Sequence, residues 1–304
     1  ISATVEGLHI TGGDATGLSG VSSRTDAGGG AYATGAAVTI RDCVIYSNTA
    51  SKGERGYGGG LFLLRTDATF TGNTVSANTA ASHGGGLSFE GRAVTLTGNI
   101  IRENFAAGHG GGALLVNSDA TLTKNTIGGG NTAGNLGGGV FLVGSDATLT
   151  GNAILGNMAG VHGGGLSLMD SSATMFSNLI GENSAGIHGG GLSFHCEGSA
   201  SLCKTVSRSS ADHGSELFVE SDVERMAAVG TETVTSESGR DDARPGRCPF
   251  SDATLINNVI VDNEASASGS GLYIGQCYVR LLHTTIVDNR GGDGSGVCVA
   301  GGRT

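Results

Sequence analysis

Apolar and polar residues alternate along this chain in a pattern that restarts about every 26 residues, as in a repeat protein. A Gly-Gly-Gly or Gly-Ser-Gly triplet marks each restart, and the triplets begin at Gly28, Gly58, Gly84, Gly110, Gly137, Gly163, Gly189, Gly269 and Gly294. Counted from the first Gly, offsets three and five are apolar in nearly every copy, as at Leu61 and Leu63. This period of two residues predicts a β-strand after every triplet.

Two further strands are predicted in each repeat. Offsets ten and twelve are apolar, as at Ala68 and Phe70, and offset seventeen carries Ile or Val. The residues at offset seventeen are Ile45, Val75, Ile101, Ile127, Ile154, Ile180, Ile260 and Ile286. Three short strands repeated in constant phase predict an all-β fold, a parallel β-helix of about nine rungs in which each repeat forms one rung.

Asparagine recurs at two offsets in the predicted turns. The first set is Asn73, Asn99, Asn125, Asn152, Asn178 and Asn258, and the second is Asn48, Asn78, Asn104, Asn131, Asn157, Asn183, Asn263 and Asn289. A side-chain amide can donate to one rung and accept from the next. We therefore interpret both sets as hydrogen-bonded ladders with a structural role.

Composition narrows the class of protein. The chain has 304 residues with 57 Gly, 2 Pro and 14% charged residues, which is unlike an ordinary α/β enzyme. The 38% of hydrophobic residues and the absence of a Gly period of three exclude a disordered chain and collagen. A formal charge of -10 without a Lys/Arg cluster argues against nucleic acid and anionic membranes as partners. Since no run of 18 apolar residues occurs, membrane insertion is not expected.

One repeat is interrupted by a long insertion. We predict a single domain over residues 1–304, broken by a surface insertion at 197–250 that is rich in charge, Ser and Thr. Six Cys without a C-x-x-C motif favour disulfides in an oxidising compartment, and the candidates at the insertion are Cys196, Cys203, Cys248 and Cys277. Neighbouring rungs are about 4.8 Å apart, so Cys277 is expected to pair with Cys248 or Cys196.

The repeats also resemble a known class. Gly111-Gly-Ala-Leu114 and Phe70-Thr-Gly-Asn73 resemble the GGA[ILV] and FxxN repeats of polymorphic outer-membrane proteins and related bacterial surface proteins of the pectate-lyase-like superfamily. The resemblance spans the chain outside the insertion. It implies a right-handed parallel β-helix and an extracellular or cell-surface location.

A column of carboxylates is the first candidate for chemistry. Glu182, Asp262 and Asp288 fall at offset nineteen of three consecutive rungs, and Arg290 follows two residues later. Carboxylates on adjacent rungs could bind Ca²⁺ or act on a polysaccharide, as paired acids do in glycosidases. The alternative is a set of solvated turn charges.

Two further columns are candidates: one immediately before the triplets and one on the outward face of the first strand. His83 with His109, and His162 with His188, precede triplets on neighbouring rungs and could share a metal ion, although stacked rings at a turn are the alternative. The outward face of the first strand carries an apolar stripe, defined as Phe62, Leu64, Leu114, Val116, Phe141, Val143, Met169 and Tyr273. Because apolar stripes of this size are rarely left in water, we expect a second copy, a partner or the insertion to cover it.

Threonine fills the outward positions of the second strand. The pairs Thr69 and Thr71, Thr95 and Thr97, Thr121 and Thr123, and Thr148 and Thr150 form an array on four consecutive rungs. The array resembles the ice-contacting face of some β-helical antifreeze proteins, although Thr is also a good strand former. It is interrupted by Phe176, Ile256 and Leu282.

Taken together, these features favour a non-catalytic extracellular surface, adhesive or fibre-forming module. Self-association or flanking domains are the expected partners, because both ends present an uncapped rung. A polysaccharide-processing enzyme is the first alternative, and an ice- or glycan-binding β-helix is the second.

Overall fold

The computed structural model describes residues 2–18, 26–53, 55–196 and 252–301. Within these ranges the chain forms 34 β-strands and no helix, and the strands wind into a parallel β-helix. The all-β prediction is therefore confirmed. The predicted insertion at 197–250, with Cys203 and Cys248, lies outside the described residues. No helix long and apolar enough to cross a bilayer occurs in the described part of the chain.

The first two strands of each rung build two parallel sheets, each nine-stranded over the described ranges. Sheet 1 contains the strands that follow the triplets: Ala31–Thr34, Leu61–Leu64, Leu87–Glu90, Ala113–Val116, Val140–Val143, Leu166–Met169, Leu192–His195, Leu272–Gly275 and Val297–Ala300. Sheet 2 contains Ser2–Glu6, Ala37–Arg41, Asp67–Thr71, Val94–Thr97, Ala120–Thr123, Asp146–Thr150, Ser172–Phe176, Asp252–Ile256 and Tyr278–Leu282. Each sheet brings the equivalent positions of successive rungs into columns.

The third predicted strand is present, and a short fourth strand follows it. Sheet 3 contains His9–Thr11, Val44–Tyr46, Thr74–Ser76, Ile100–Arg102, Thr126–Gly128, Ala153–Leu155, Leu179–Gly181, Val259–Val261 and Thr285–Val287. Sheet 4 contains Thr79–Ala80, Phe105–Ala106, Thr132–Ala133, Met158–Ala159, Ser184–Ala185, Glu264–Ser268 and Arg290–Asp293. The three-strand rung predicted from the sequence lacks sheet 4, because most of its strands have two residues and so show no period.

The core is built from inward-facing columns, two each from sheets 1 and 2 and one from sheet 3. At offset seventeen, Ile45, Val75, Ile101, Ile127, Ile154, Ile180 and Ile260 are completely buried. Burying an Ile side chain contributes about 1.5–3 kcal/mol, so this column of seven adds about 10–20 kcal/mol to the driving force for folding. The strand prediction and the identity of the inward positions are thus confirmed.

Both asparagine sets form the predicted ladders inside the turns. Asn104 shows the pattern: its Nδ2 donates to the carbonyl oxygen of Val75 and to Oδ1 of Asn131, each at 3.0 Å. Its Oδ1 accepts from the backbone N–H of Asn78 at 3.1 Å and from Nδ2 of Asn78 at 3.0 Å. The ladder is fully buried at Asn104, so each rung is tied to the next by side-chain amides as well as by strand pairing.

The glycine triplets reverse the chain sharply before sheet 1. Gly163 adopts a φ of 65°, and a Cβ at that position would lie 2.6 Å from Cβ of Ser167. Only Gly fits, because the conformation is left-handed and the space is already filled. The reversal brings residues before the triplets against the outer face of sheet 1, as the ring contacts of Tyr57 with Phe62 and of His109 with Phe141 show.

The disulfide prediction is confirmed for one of its two alternatives. Cys196 and Cys277 are bonded, with their Cα atoms 5.3 Å apart on adjacent rungs. Among the described cysteines, Cys43 is buried and free, and Cys298 is half-buried and free.

Candidate functional site

The carboxylate column lies on exposed corners between sheet 3 and sheet 4. Glu182, Asp262 and Asp288 have φ angles of 57°, 52° and 54°, so each occupies the left-handed corner that precedes a ladder asparagine. All three are exposed. The guanidinium of Arg290 lies 4.0 Å from Oδ1 of Asp262, a pair that is open to solvent. In the described ranges no group of three or more His, Cys, Asp or Glu side chains is arranged to hold a metal ion. A Ca²⁺ site at this column stays a prediction.

A shallow groove of about 500 Å³ runs along sheet 4, close to this column. Thr132, Met158, Ser184 and Glu264 line it, together with small residues of the same rungs. The small residues are required by packing: a Cβ on Gly160 would lie 2.0 Å from the carbonyl oxygen of Gly134. Stacking of the backbone therefore accounts for the groove.

The histidines before the triplets form two stacks. The rings of His83 and His109 are 4.8 Å apart and nearly parallel, and those of His162 and His188 are 5.0 Å apart with an interplanar angle of 7°. Nδ1 of His83 accepts the backbone N–H of His109 at 3.1 Å. Stacked rings do not converge their nitrogen atoms on one point, so the geometry matches the stacking alternative and not the shared metal ion.

The second stack belongs to a larger cluster that the sequence does not indicate. The ring of His195 is 4.7 Å from that of His162, and Tyr273 stacks on His188 at 4.4 Å. The hydroxyl of Ser268 is 2.7 Å from Nδ1 of His188. His195 and Tyr273 stand on sheet 1, and they meet the histidines because the triplet folds the preceding residue back over that sheet.

Burial sets the charge state of this cluster. Burial, assisted by the charges of His195 and His188, lowers the pKa of His162 to about 3. Burial and the charge of His188 lower the pKa of His195 to about 4. Burial also lowers the pKa of His188 and raises that of Tyr273, the latter with help from Cys298. The cluster is therefore neutral at physiological pH.

The apolar stripe is buried within a single chain. Phe62, Leu114 and Phe141 are at most 1% exposed, and Val116, Val143 and Met169 are also buried. Leu64 and Tyr273 are half-buried. The residues before the triplets provide part of this cover, as the 5.1 Å contact between the rings of His109 and Phe141 shows. The stripe needs no second copy for its burial, and its role as an interface stays a prediction.

The threonine array is longer than the sequence reading suggests. The strands of sheet 2 pair in register so that the offset-eleven residues Thr4, Thr39, Thr69, Thr95, Thr121, Thr148, Thr174 and Thr254 form one column over eight successive strands. Arg280 ends it. Phe176 and Ile256 interrupt only the parallel column at offset thirteen, where Thr71, Thr97, Thr123 and Thr150 remain consecutive. The sequence pattern therefore underestimated the length of the threonine column, which extends over eight strands and not four.

The comparisons with known proteins bear on the fold. No curated protein matches the chain. One solved structure, a double mutant of the periplasmic alginate epimerase AlgG, aligns with a TM-score of 0.43 and 14% sequence identity. The alignment covers 84% of this chain and 50% of that one, so the chain spans about half the length of the solved protein.

A protein-family model also matches the chain. The model of the right-handed beta helix region matches residues 6–201, which is well over half of the chain. That region contains seven of the nine triplets and the two asparagine ladders up to Asn178 and Asn183. The rungs described above therefore have the winding of that family, and the chain belongs to the right-handed β-helix family.

Proposed function

We propose that the chain is a rigid, non-catalytic extracellular surface module that acts by presenting columns of like residues to a partner. The observation that carries this proposal is the pair of buried asparagine ladders, which bond every rung to the next beside in-register sheets. Such a scaffold keeps side-chain columns at fixed spacing. The candidate groups support the proposal, because Glu182, Asp262 and Asp288 lie in solvent. Burial keeps His162 and His195 neutral at physiological pH.

Two observations support an extracellular location. The bond between Cys196 and Cys277 would persist only in an oxidising compartment. The repeats also resemble those of polymorphic outer-membrane proteins, which are surface proteins. A surface role with an adhesive function is consistent with both.

Charge makes a specific prediction about the adhesive partner. With a net charge of -10, the chain should be repelled by acidic polymers at low salt. We expect the immobilised chain to bind neutral polysaccharide or cell surfaces in preference to alginate or pectate, and to release every polymer chemically unchanged. Absence of binding to any surface polymer, or recovery of a shortened polymer, would overturn the proposal.

Polysaccharide processing is the second candidate, and the groove on sheet 4 favours it. Glu264 lines the groove, and Asp262 and Arg290 lie on the same and the following rung. An extended polymer in the groove would therefore run past several carboxylates. If this candidate is correct, Ser184→Tyr should obstruct the groove and abolish turnover, whereas the same substitution at Ser172, on sheet 2, should leave turnover intact. Equal turnover in both variants would exclude the groove as the active site.

A further inference from the structure

Sheet 2 presents a two-dimensional array of threonine side chains to solvent. Its eight-strand column at offset eleven has no register shift, and the second column runs beside it for four strands. Strands in a sheet are about 4.8 Å apart, and alternate residues along a strand are about 6.7 Å apart. The hydroxyl and methyl groups therefore repeat at two fixed distances over the face.

The hydroxyl groups of this face are available to solvent. Thr69, Thr121, Thr148 and Thr174 are exposed. Within the described residues, no hydrogen bond from another group engages the hydroxyls of Thr69, Thr121 and Thr148. Each hydroxyl can both donate to water and accept from water, while each methyl group fills the space between neighbouring waters.

The two threonine columns themselves carry no charge over four strands, although the outward positions two residues earlier on this face carry acids such as Asp67 and Asp146. The outward positions at offsets eleven and thirteen are all Thr from the strand Asp67–Thr71 to the strand Asp146–Thr150. A small ligand would contact only two or three of these side chains. A ligand with its own regular repeat gains at every rung, because each further contact is made within the same complex.

We propose that the threonine face of sheet 2 binds ice. Water held between the hydroxyls takes the period of the protein, and a crystal of water is the ligand whose chemistry matches hydroxyl and methyl groups without any charged or aromatic anchor. A glycan fits less well, because sugar rings usually stack on aromatic side chains, and the first aromatic residue in either outward column of these strands is Phe176. The inference goes beyond the proposed surface role, which does not require ice.

The test measures thermal hysteresis and the incorporation of the fluorescently labelled chain into a growing ice crystal. The wild-type chain should enter the ice and depress its growth temperature. Thr121→Tyr places a ring in the centre of the longer column and should cause loss of both effects. The matched control is Thr126→Tyr, an exposed strand residue of the same rung on sheet 3, which should keep them.

Circular dichroism shows whether each variant is folded, and Thr148→Tyr on the next rung replaces Thr121→Tyr if that variant is not. Exclusion of the wild-type chain from ice overturns the inference, and so does equal activity of the sheet 2 and sheet 3 variants. Binding to a crystalline polysaccharide without binding to ice also overturns it and assigns the face to a glycan. None of these results affects the test of the surface role, which is made on soluble polymers and cells.

Discussion

At the scale of single residues, the asparagine ladders show how a polar side chain can be indispensable to a core. Asn104 makes hydrogen bonds to two neighbouring rungs while fully buried. A buried donor or acceptor that loses its partner costs about 1–3 kcal/mol. Ladder positions are therefore as sensitive to substitution as the apolar columns beside them.

We predict that Asn104→Ala lowers the free energy of unfolding by about 3 kcal/mol, because several buried groups lose partners at once. Asn289→Ala, at the half-buried end of the same ladder, should lower the free energy of unfolding by about 1 kcal/mol, since fewer buried polar groups lose a hydrogen-bond partner. Chemical denaturation of both variants measures the difference. Equal losses would show that the ladder does not act as a continuous buried network.

The buried imidazoles predict an acid-sensitive stability. His162 and His195 have pKa values of about 3 and about 4 in the folded chain, against about 6.5 when unfolded. The unfolded state therefore takes up protons first as the pH falls below about 6.5. Their contribution to stability is complete above that pH and is lost progressively as the pH falls, toward about pH 4 for His195 and about pH 3 for His162. The loss is about 1.4 kcal/mol per pH unit for each group.

We predict that His162→Leu reduces this acid sensitivity without disturbing the fold. Leu136 already occupies the equivalent position one rung earlier and is buried there, so the column accepts a leucine. Unfolding midpoints of the variant and the wild type should diverge as the pH is lowered from 7 to 4, with the variant losing less stability. Parallel curves over this range would contradict the neutral, buried state of His162.

At the scale of elements, the length of a strand decided how well the sequence predicted it. The four- and five-residue strands of sheets 1 and 2 alternate visibly, and their inward residues are buried as the period predicts. The two-residue strands such as Thr132–Ala133 are too short to show a period, so sheet 4 and its groove could not be predicted.

The histidine–tyrosine cluster was only partly predictable from the sequence, because its residues come from both sides of a turn. The period of sheet 1 indicates that His195 and Tyr273 face outward, but not that the triplets fold His162 and His188 over them. The same reversal explains the burial of Phe62 and Phe141. A signal was present in the sequence: aromatic residues or histidines recur at offset −1, and aromatic residues recur at offset four. Pairing these two offsets across the triplets could have predicted the ring contacts.

The disulfide joins two neighbouring rungs on either side of the segment 197–250. Cys196 and Cys277 are 81 residues apart, so the cross-link closes a long loop in the unfolded chain. We predict that the double substitution Cys196→Ser with Cys277→Ser lowers the free energy of unfolding by about 2–4 kcal/mol. Calorimetry should show this loss, whereas Cys298→Ser, which removes a free thiol, should have little effect. A double variant as stable as the wild type would mean that strand pairing alone holds these rungs.

At the scale of the whole molecule, the repetition of rungs favours surface presentation over catalysis. Every rung repeats the contacts of its neighbours, so exposed positions become columns of like residues and not a pocket of unlike ones. Catalysis needs a few different groups brought together, as an acid, a base and a binding cleft. The column of Glu182, Asp262 and Asp288 is the candidate that the sequence offers for such a site, and it lies on exposed corners.

The most direct test of the proposed surface role is therefore a search for chemical change at that column. Nuclear magnetic resonance spectra of acidic and neutral polysaccharides would be recorded with the wild-type chain and with the triple variant Glu182→Gln, Asp262→Asn and Asp288→Asn. We predict unchanged spectra for every polymer with both proteins. New end groups or epimerised sugars that form with the wild type and not with the triple variant would contradict the account and establish the chain as an enzyme.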